Sequence, residues 1–167
     1  TIRDIDGDGA SEIVAAGGDG RLYVVDGTGS DWGPYPIEMC FPGTPERDFE
    51  DRMCGIGGDR SIVSPMVADV DADGELEIGF GTNEAVDDGR YSASYLIDAA
   101  TAEPQPGWPL LESGLINEAA LLPLIGQGHP SSMSAADVDG DGDLEIMNPV
   151  MLGQTELLSH DGTMHLD

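Results

Sequence analysis

The sequence predicts an all-β fold of small antiparallel sheets, and three observations support this prediction. Short runs of Val, Ile and Leu are separated by turn residues, and Gly and Pro contribute 24 and 11 of the 167 residues. One Asp-rich loop pattern occurs three times, beginning at Asp4, Asp69 and Asp137. Each of these loops runs directly into a strand-forming segment, as expected for short strands joined by turns.

The chain is strongly acidic, with 33 Asp and Glu against six Arg and no Lys, and a formal net charge of −27. A surface this negative repels phosphate backbones and anionic lipid, which argues against nucleic-acid and membrane-surface roles. No apolar run approaches the roughly 18 residues that span a bilayer, so no membrane insertion is expected. Because 12 of the 33 acids recur at four matched positions of the three loops, the charge pattern favours cation binding over a merely solvated surface.

The loops share the pattern Asp-x-Asp-x-Asp-Gly-x-x-Glu. Carboxylates at positions 1, 3 and 5 can wrap around one ion, position 7 can add its backbone carbonyl, and the Glu at position 9 closes the shell. The Gly at position 6 permits a backbone conformation that a side chain resists. The predicted metal ligands are, loop by loop, Asp4, Asp6, Asp8, Ala10 and Glu12; Asp69, Asp71, Asp73, Glu75 and Glu77; Asp137, Asp139, Asp141, Asp143 and Glu145.

Such a donor set favours calcium. All-oxygen ligation by several carboxylates suits a large hard cation better than magnesium, which demands a tight octahedron and retains waters. The loops contain no Cys or His, which disfavours zinc and copper. The EF-hand is excluded because its position 12 must be acidic and is here Ala15, Phe80 or Asn148.

Strand-forming segments follow each loop in the same order. A short strand comes first, and after a polar turn a second strand ends at Asp26, Asp98 or Asp161. In the first two units a Trp and a Pro come next, at Trp32-Gly-Pro34 and Trp108-Pro109. A unit of roughly 65 residues with three or four such strands has the size of one β-propeller blade, which is a four-stranded antiparallel sheet.

The spacing of the loops divides the chain into about two and a half blades of one larger propeller domain. We expect residues 1–38 to form a partial blade that lacks its first strand, and residues 39–60 to form a Cys-containing insertion. Residues 61–126 are expected to form a complete blade and residues 127–167 a further partial blade. Since a propeller needs about four blades to close, we expect the chain to be part of a longer polypeptide or assembly.

The loops and their flanks resemble the FG-GAP or VCBS repeat family, the blades of integrin α-subunit propellers and of many secreted bacterial proteins. The flanks that carry the resemblance are Ser64-Pro-Met-Val-Ala68, Ser132-Met-Ser-Ala-Ala136 and Leu22-Tyr-Val-Val-Asp-Gly27. The integrin-type Phe-Gly and Gly-Ala-Pro signatures are not clearly present, so the secreted bacterial type is the closer match. The resemblance implies about three calcium ions, each held by the loop between the first two strands of a blade. It also implies an extracellular or cell-surface location, with the periplasm as the alternative.

Five further residues have side chains capable of bonding or acid–base chemistry. Cys40 and Cys54 close a segment of about 15 residues, for which a disulfide is the favoured interpretation in an extracellular setting and two unpaired thiols the alternative. His129 and His160 are interpreted as structural, with His160 aligned on Val25 of the first unit. His165 is left without an interpretation. The sequence contains no nucleophile elbow, phosphate-binding loop or dinucleotide motif.

Three functions remain open at this stage. The favoured one is a non-catalytic binding or adhesion module whose calcium ions are structural and whose partner is an unidentified protein or glycan. The alternative is part of a propeller-fold polysaccharide lyase or another carbohydrate-active enzyme, although the segment offers few candidates for the base and the stabilising cation that a lyase requires. The third is a surface spacer without a ligand.

Overall fold

The computed structural model describes residues 1–17, 20–38, 64–82, 91–113, 129, 131–150 and 155–165. In this part of the chain there are eleven strands and no helix. The strands form three separate antiparallel sheets, so the predicted all-β class is confirmed. Over the same ranges, no helix has the length and apolar character needed to cross a membrane.

Each sheet contains strands that are consecutive in the chain and hydrogen-bonded in chain order. The first sheet contains β1 (Ile2–Arg3), β2 (Glu12–Ala16), β3 (Arg21–Val25) and β4 (Ile37–Glu38). The second contains β5 (Met66–Ala68), β6 (Glu77–Gly81), β7 (Tyr91–Asp98) and β8 (Leu110–Ser113). The third contains β9 (Ser134–Ala136), β10 (Glu145–Asn148) and β11 (Glu156–Leu158).

The first sheet contains a strand that the sequence analysis did not expect. We expected residues 1–38 to lack a first strand, but in the structure Ile2 lies opposite Ile13 and Arg3 opposite Glu12. The N–H of Val14 extends this pairing by donating to the carbonyl of Thr1 at 2.9 Å. Two residues are too short to show the alternation by which a strand is recognised in a sequence.

A hairpin follows the third strand of each sheet. The residues paired in these hairpins correct two alignments made from the sequence. The paired residues are Val25 with Asp31, Ile97 with Pro104, and Leu158 with Met164. The second hairpin is therefore one residue longer than the other two. It follows that Trp108-Pro109 corresponds to Tyr35-Pro36 and not to Trp32-Gly-Pro34. It also follows that Asp26 corresponds to Ser159, so that His160 occupies the position of Gly27 and not that of Val25.

Packing distinguishes the middle sheet from the two outer ones. Every residue of β6 is buried, whereas Ile13 on β2 is 45% exposed and Met147 on β10 is 49% exposed. One apolar cluster joins the first sheet to the second, and its buried members are Val14, Leu22, Val24, Tyr35, Val67, Ile78, Phe80, Ala93, Tyr95, Ile97 and Ala99. Another joins the second sheet to the third, and its buried members are Met66, Val70, Leu96, Trp108, Met133, Ile146 and Leu158.

A hydrogen bond from an aromatic side chain recurs at both junctions between sheets. The hydroxyl of Tyr35 donates to the carbonyl of Ala99 at 2.9 Å, and the indole Nε1–H of Trp108 donates to the carbonyl of His160 at 2.9 Å. By the corrected alignment the two donors are equivalent, and so are the two acceptors. The three sheets therefore follow one another with the same contact, and Trp108 packs in the apolar cluster between the second and third sheets.

Candidate metal sites

Each Asp-rich loop connects the first two strands of its sheet, and the loop's own carboxylates shape it. The N–H of position 5 donates to the Asp at position 3 in all three loops, at 3.1, 3.4 and 3.1 Å. The N–H of position 7 likewise donates to the Asp at position 5, at 2.7, 2.8 and 3.0 Å. Asp side chains commonly accept from the N–H two residues further on, which explains why this residue type forms the turn.

The Glu at position 9 is the buried member of each loop. Glu12, Glu77 and Glu145 are 3%, 1% and 4% exposed. The Oε2 atom of each accepts the N–H of position 2, which belongs to Ile5, Val70 and Val138, at 2.8, 2.9 and 2.9 Å. Each Glu also begins the second strand of its sheet, so the carboxylate couples the loop to the strand.

The Asp at position 1 has an unsatisfied oxygen in two loops. The Oδ2 atoms of Asp4 and Asp69 accept the N–H groups of Gly9 and Gly74, at 3.0 and 3.1 Å. The Oδ1 atoms of the same two residues are buried and have no hydrogen-bond partner. A buried carboxylate oxygen without a partner is costly. It is satisfied if a cation binds in the loop.

Three carboxylates converge in each loop. The groups whose ligand atoms lie within 4.8 Å of one another are Asp4, Asp6 and Asp8; Asp69, Asp71 and Glu77; and Asp137, Asp139 and Asp141. The structure therefore confirms that the acidic loops can hold a metal ion. The other predicted ligands, which are Glu12, Asp73, Glu145 and the carbonyls of Ala10, Glu75 and Asp143, lie in the same loops and stay predictions.

In the second loop, burial and the neighbouring carboxylates change the pKa of Glu77. Burial, and to a smaller extent repulsion from Asp71, Asp73 and Asp69, raise the pKa of Glu77 to about 7, against the opposing effect of the hydrogen bond from Val70. Carboxylates brought this close favour the protonated form in the absence of a cation.

One residue beside each loop was not expected from the sequence. Trp32, Gln105 and His165 are equivalent, because their N–H groups donate to the carbonyls of the third strand, which belong to Val24, Leu96 and Leu157, at 2.9, 2.9 and 2.8 Å. The Trp32 Nε1–H donates to Asp6 at 3.3 Å, the Gln105 Nε2–H donates to Glu77 at 3.4 Å, and the His165 Nδ1 lies 3.8 Å from Glu145. The sequence alignment did not detect this position because the three residues differ in type and because the second hairpin is one residue longer than the others.

A second polar cluster lies between the second and third sheets and contains His129. Its Nε2 is 2.9 Å from the Ser94 hydroxyl, and Asn148 Nδ2 donates both to that hydroxyl at 3.1 Å and to Glu112 at 2.7 Å. All four side chains are at most 5% exposed. Burial, and to a smaller extent Glu156, raise the pKa of Glu112 to about 7, against the opposing effect of the hydrogen bonds from Ser94 and Asn148.

The remaining candidates have different outcomes. His160 lies in a turn, where its Nδ1 is 3.2 Å from the Asp143 carboxylate of the third loop. Cys40 and Cys54 lie outside the described residues, so the disulfide between them stays a prediction.

Comparison of the chain with models of protein families, with curated proteins and with solved structures finds no match.

Proposed function

We propose that the protein is a calcium-binding, non-catalytic module in which one calcium ion binds each Asp-rich loop and stabilises the fold. The observation that carries this proposal is the pair of buried, unpartnered Oδ1 atoms of Asp4 and Asp69. They occupy the same position in two loops in which the Asp residues at positions 3 and 5 accept N–H groups of the loop backbone. A cation in the loop supplies the partner that each oxygen lacks.

The donor set fits calcium better than magnesium. Each loop offers four carboxylates and a backbone carbonyl, and calcium takes six to eight oxygen ligands in a flexible arrangement. Magnesium requires a near-ideal octahedron and keeps several of its waters, which four crowded carboxylates do not accommodate. The ligands proposed for each loop are the carboxylates of positions 1, 3, 5 and 9 and the carbonyl of position 7.

A structural role follows from where the loops lie. Each loop joins two adjacent strands, and its buried Glu starts the second strand. An ion held by positions 1 and 9 fixes the two ends of the loop relative to each other. Because the ion is enclosed by protein oxygens, it leaves little room for a substrate.

The resemblance to FG-GAP or VCBS repeats extends the proposal to the whole module. We infer that the three sheets are blades of a secreted or cell-surface propeller, in which the exposed Ile13 and Met147 face further blades. Millimolar extracellular calcium fills sites of modest affinity, which supports this location. The net charge of −27 supports a protein or neutral glycan partner over a phosphate-bearing one.

A glycan array with a uronate-cleavage assay beside it tests the binding role. Any glycan that the protein retains is expected to be recovered unmodified. Cleavage of the glycan by the purified protein contradicts the non-catalytic role and favours a lyase.

Calorimetric titration tests the calcium sites. Metal-free wild type is expected to bind about three calcium ions and to bind magnesium more weakly. Asp69→Asn keeps an acceptor for Gly74 but places an amide at the unpartnered position, so this variant is expected to bind about two calcium ions.

Glu103→Gln is the matched control, because it removes one exposed carboxylate of the same sheet outside the loop. It is expected to retain about three sites. A wild-type stoichiometry of one or none, or equal losses in Asp69→Asn and Glu103→Gln, contradicts the proposal.

A further inference from the structure

The first and third sheets each have one face that no other described sheet covers. The second sheet packs on the first sheet through one face and on the third sheet through the other. The three sheets share one loop pattern and one strand register. Residues on the two outer faces can therefore be compared with their equivalents at the two internal junctions.

The outer face of the first sheet is apolar. Ile2 and Ile13 lie opposite each other on it and are 66% and 45% exposed. Their equivalents in the second sheet, Val67 and Ile78, also lie opposite each other, but both are buried in the cluster between the first and second sheets. Residues directly opposite each other in an antiparallel pair project from the same face. Ile2 and Ile13 therefore form the same half of a junction that the second sheet presents to the first.

The outer face of the third sheet is the opposite half. Met147 is equivalent to Val14, since each lies two residues after the Glu at position 9, and Val14 is buried between the first and second sheets. Val138 is equivalent to Val70, which is buried between the second and third sheets. Met147 and Val138 are 49% and 56% exposed. The third sheet therefore presents outward the half that the other two sheets pack on the sheet after them.

The acidic loops do not prevent this kind of packing. The N–H of Leu144 in the third loop donates to the carbonyl of Val70 in the second loop at 2.8 Å, so two Asp-rich loops are in direct contact at an internal junction. The same contact between two copies of the chain brings the third loop of one copy to the first loop of the other. The net charge of −27 opposes association of copies, and bound calcium and salt reduce this opposition.

We propose that the outer face of the third sheet packs, head to tail, on the outer face of the first sheet of a second copy of this chain. The two faces are different halves of one kind of junction, so the contact is heterologous. Because each copy contributes three sheets, two copies contain six, and propellers close with about four to eight blades. A closed dimer is therefore expected. The inference rests on the proposed function only in that it treats the sheets as blades.

Light scattering during size-exclusion chromatography, in calcium and at physiological salt, tests the proposal. Wild type is expected at twice the chain mass. Ile13→Arg and Met147→Arg each bury a charge in one half of the contact, so each is expected to weaken dimerisation at least about tenfold. Leu111→Arg is the matched control, because Leu111 is also 45% exposed but lies on the second sheet. It is expected to dimerise as wild type does.

A mixture of the two variants distinguishes head-to-tail pairing from other arrangements. Ile13→Arg retains an intact third sheet face, and Met147→Arg retains an intact first sheet face. An equimolar mixture is therefore expected to form a heterodimer through one intact contact at a concentration where each variant alone is monomeric.

A monomeric wild type overturns the proposal, and so does a mixture that does not pair or a loss in Leu111→Arg equal to that in the other variants. An effect of only one of the two face variants also overturns it, since one face then pairs with itself. If either face variant does not fold, Ile2→Arg or Val138→Arg tests the same face. A monomer that binds about three calcium ions contradicts this proposal alone, whereas a dimer that binds no calcium contradicts only the proposed function.

Discussion

Two buried glutamates, Glu77 and Glu112, lie in different surroundings. Glu77 closes an acidic loop and is surrounded by other carboxylates, which a cation can neutralise. Glu112 lies between the second and third sheets, where it accepts from Asn148 at 2.7 Å. Among the described residues, Glu156 on β11 is the ionisable group that raises the pKa of Glu112, and His129 belongs to the same cluster through Ser94. Burial lowers the pKa of His129, so this imidazole is neutral near pH 7 and adds no compensating charge.

Glu112 is therefore expected to make stability depend on pH. Its pKa rises from an ordinary 4.5 to about 7 on folding, so the folded state binds the proton more tightly than the unfolded state. The free energy of unfolding consequently falls as the pH rises from about 4.5 to about 7, by about 3 kcal/mol, and is level above that range.

Glu112→Gln is expected to remove this dependence, because the amide keeps an acceptor for Asn148 and cannot ionise. Urea unfolding in saturating calcium from pH 4.5 to 8 measures it. The variant is expected to match wild type at the acid end and to exceed it above pH 7. Parallel pH profiles for the two proteins contradict the assignment.

At the scale of elements, strand β6 of the second sheet packs closely against His129. Gly81 ends β6, and a Cβ added there would lie 2.0 Å from the imidazole Cγ of His129. Gly81→Ala therefore forces the ring away from Ser94 and is expected to cost about 1–3 kcal/mol of unfolding free energy.

Gly27→Ala is the control, since a Cβ at Gly27 meets nothing within 4 Å. This change is expected to stay within about 0.5 kcal/mol of wild type. Denaturant unfolding of both variants measures the difference. Equal stability of the two variants would show that His129 does not pack against Gly81.

Some of the strands and loop residues could be predicted from the sequence alone, and others could not. The second strands of the first two sheets begin at Glu12 and Glu77, as predicted, because the loop pattern fixes where a strand can start. The two-residue strand β1 escaped prediction, because two residues carry no alternation. The loop carboxylates were predictable because their spacing is regular, whereas Trp32, Gln105 and His165 share only a backbone register that pairing reveals.

At the scale of the whole molecule, packing and charge oppose each other. The three sheets bury apolar side chains in two clusters, one at each junction, but the chain carries a net charge of −27. Self-repulsion of such a charge destabilises a compact state. Because the acids concentrate in three loops, three divalent ions can relieve the repulsion where it is greatest. Bound calcium is therefore expected to be part of the fold.

Thermal unfolding with and without a calcium chelator tests this central claim most directly. At a free calcium concentration tenfold above its dissociation constant, one site adds about 1.4 kcal/mol, so three sites add roughly 4 kcal/mol. That is a large share of the roughly 5–15 kcal/mol by which a typical domain is stable. The account predicts that chelation lowers the melting temperature by many degrees and that added calcium restores it. A melting temperature that is the same with chelator and with saturating calcium would contradict it.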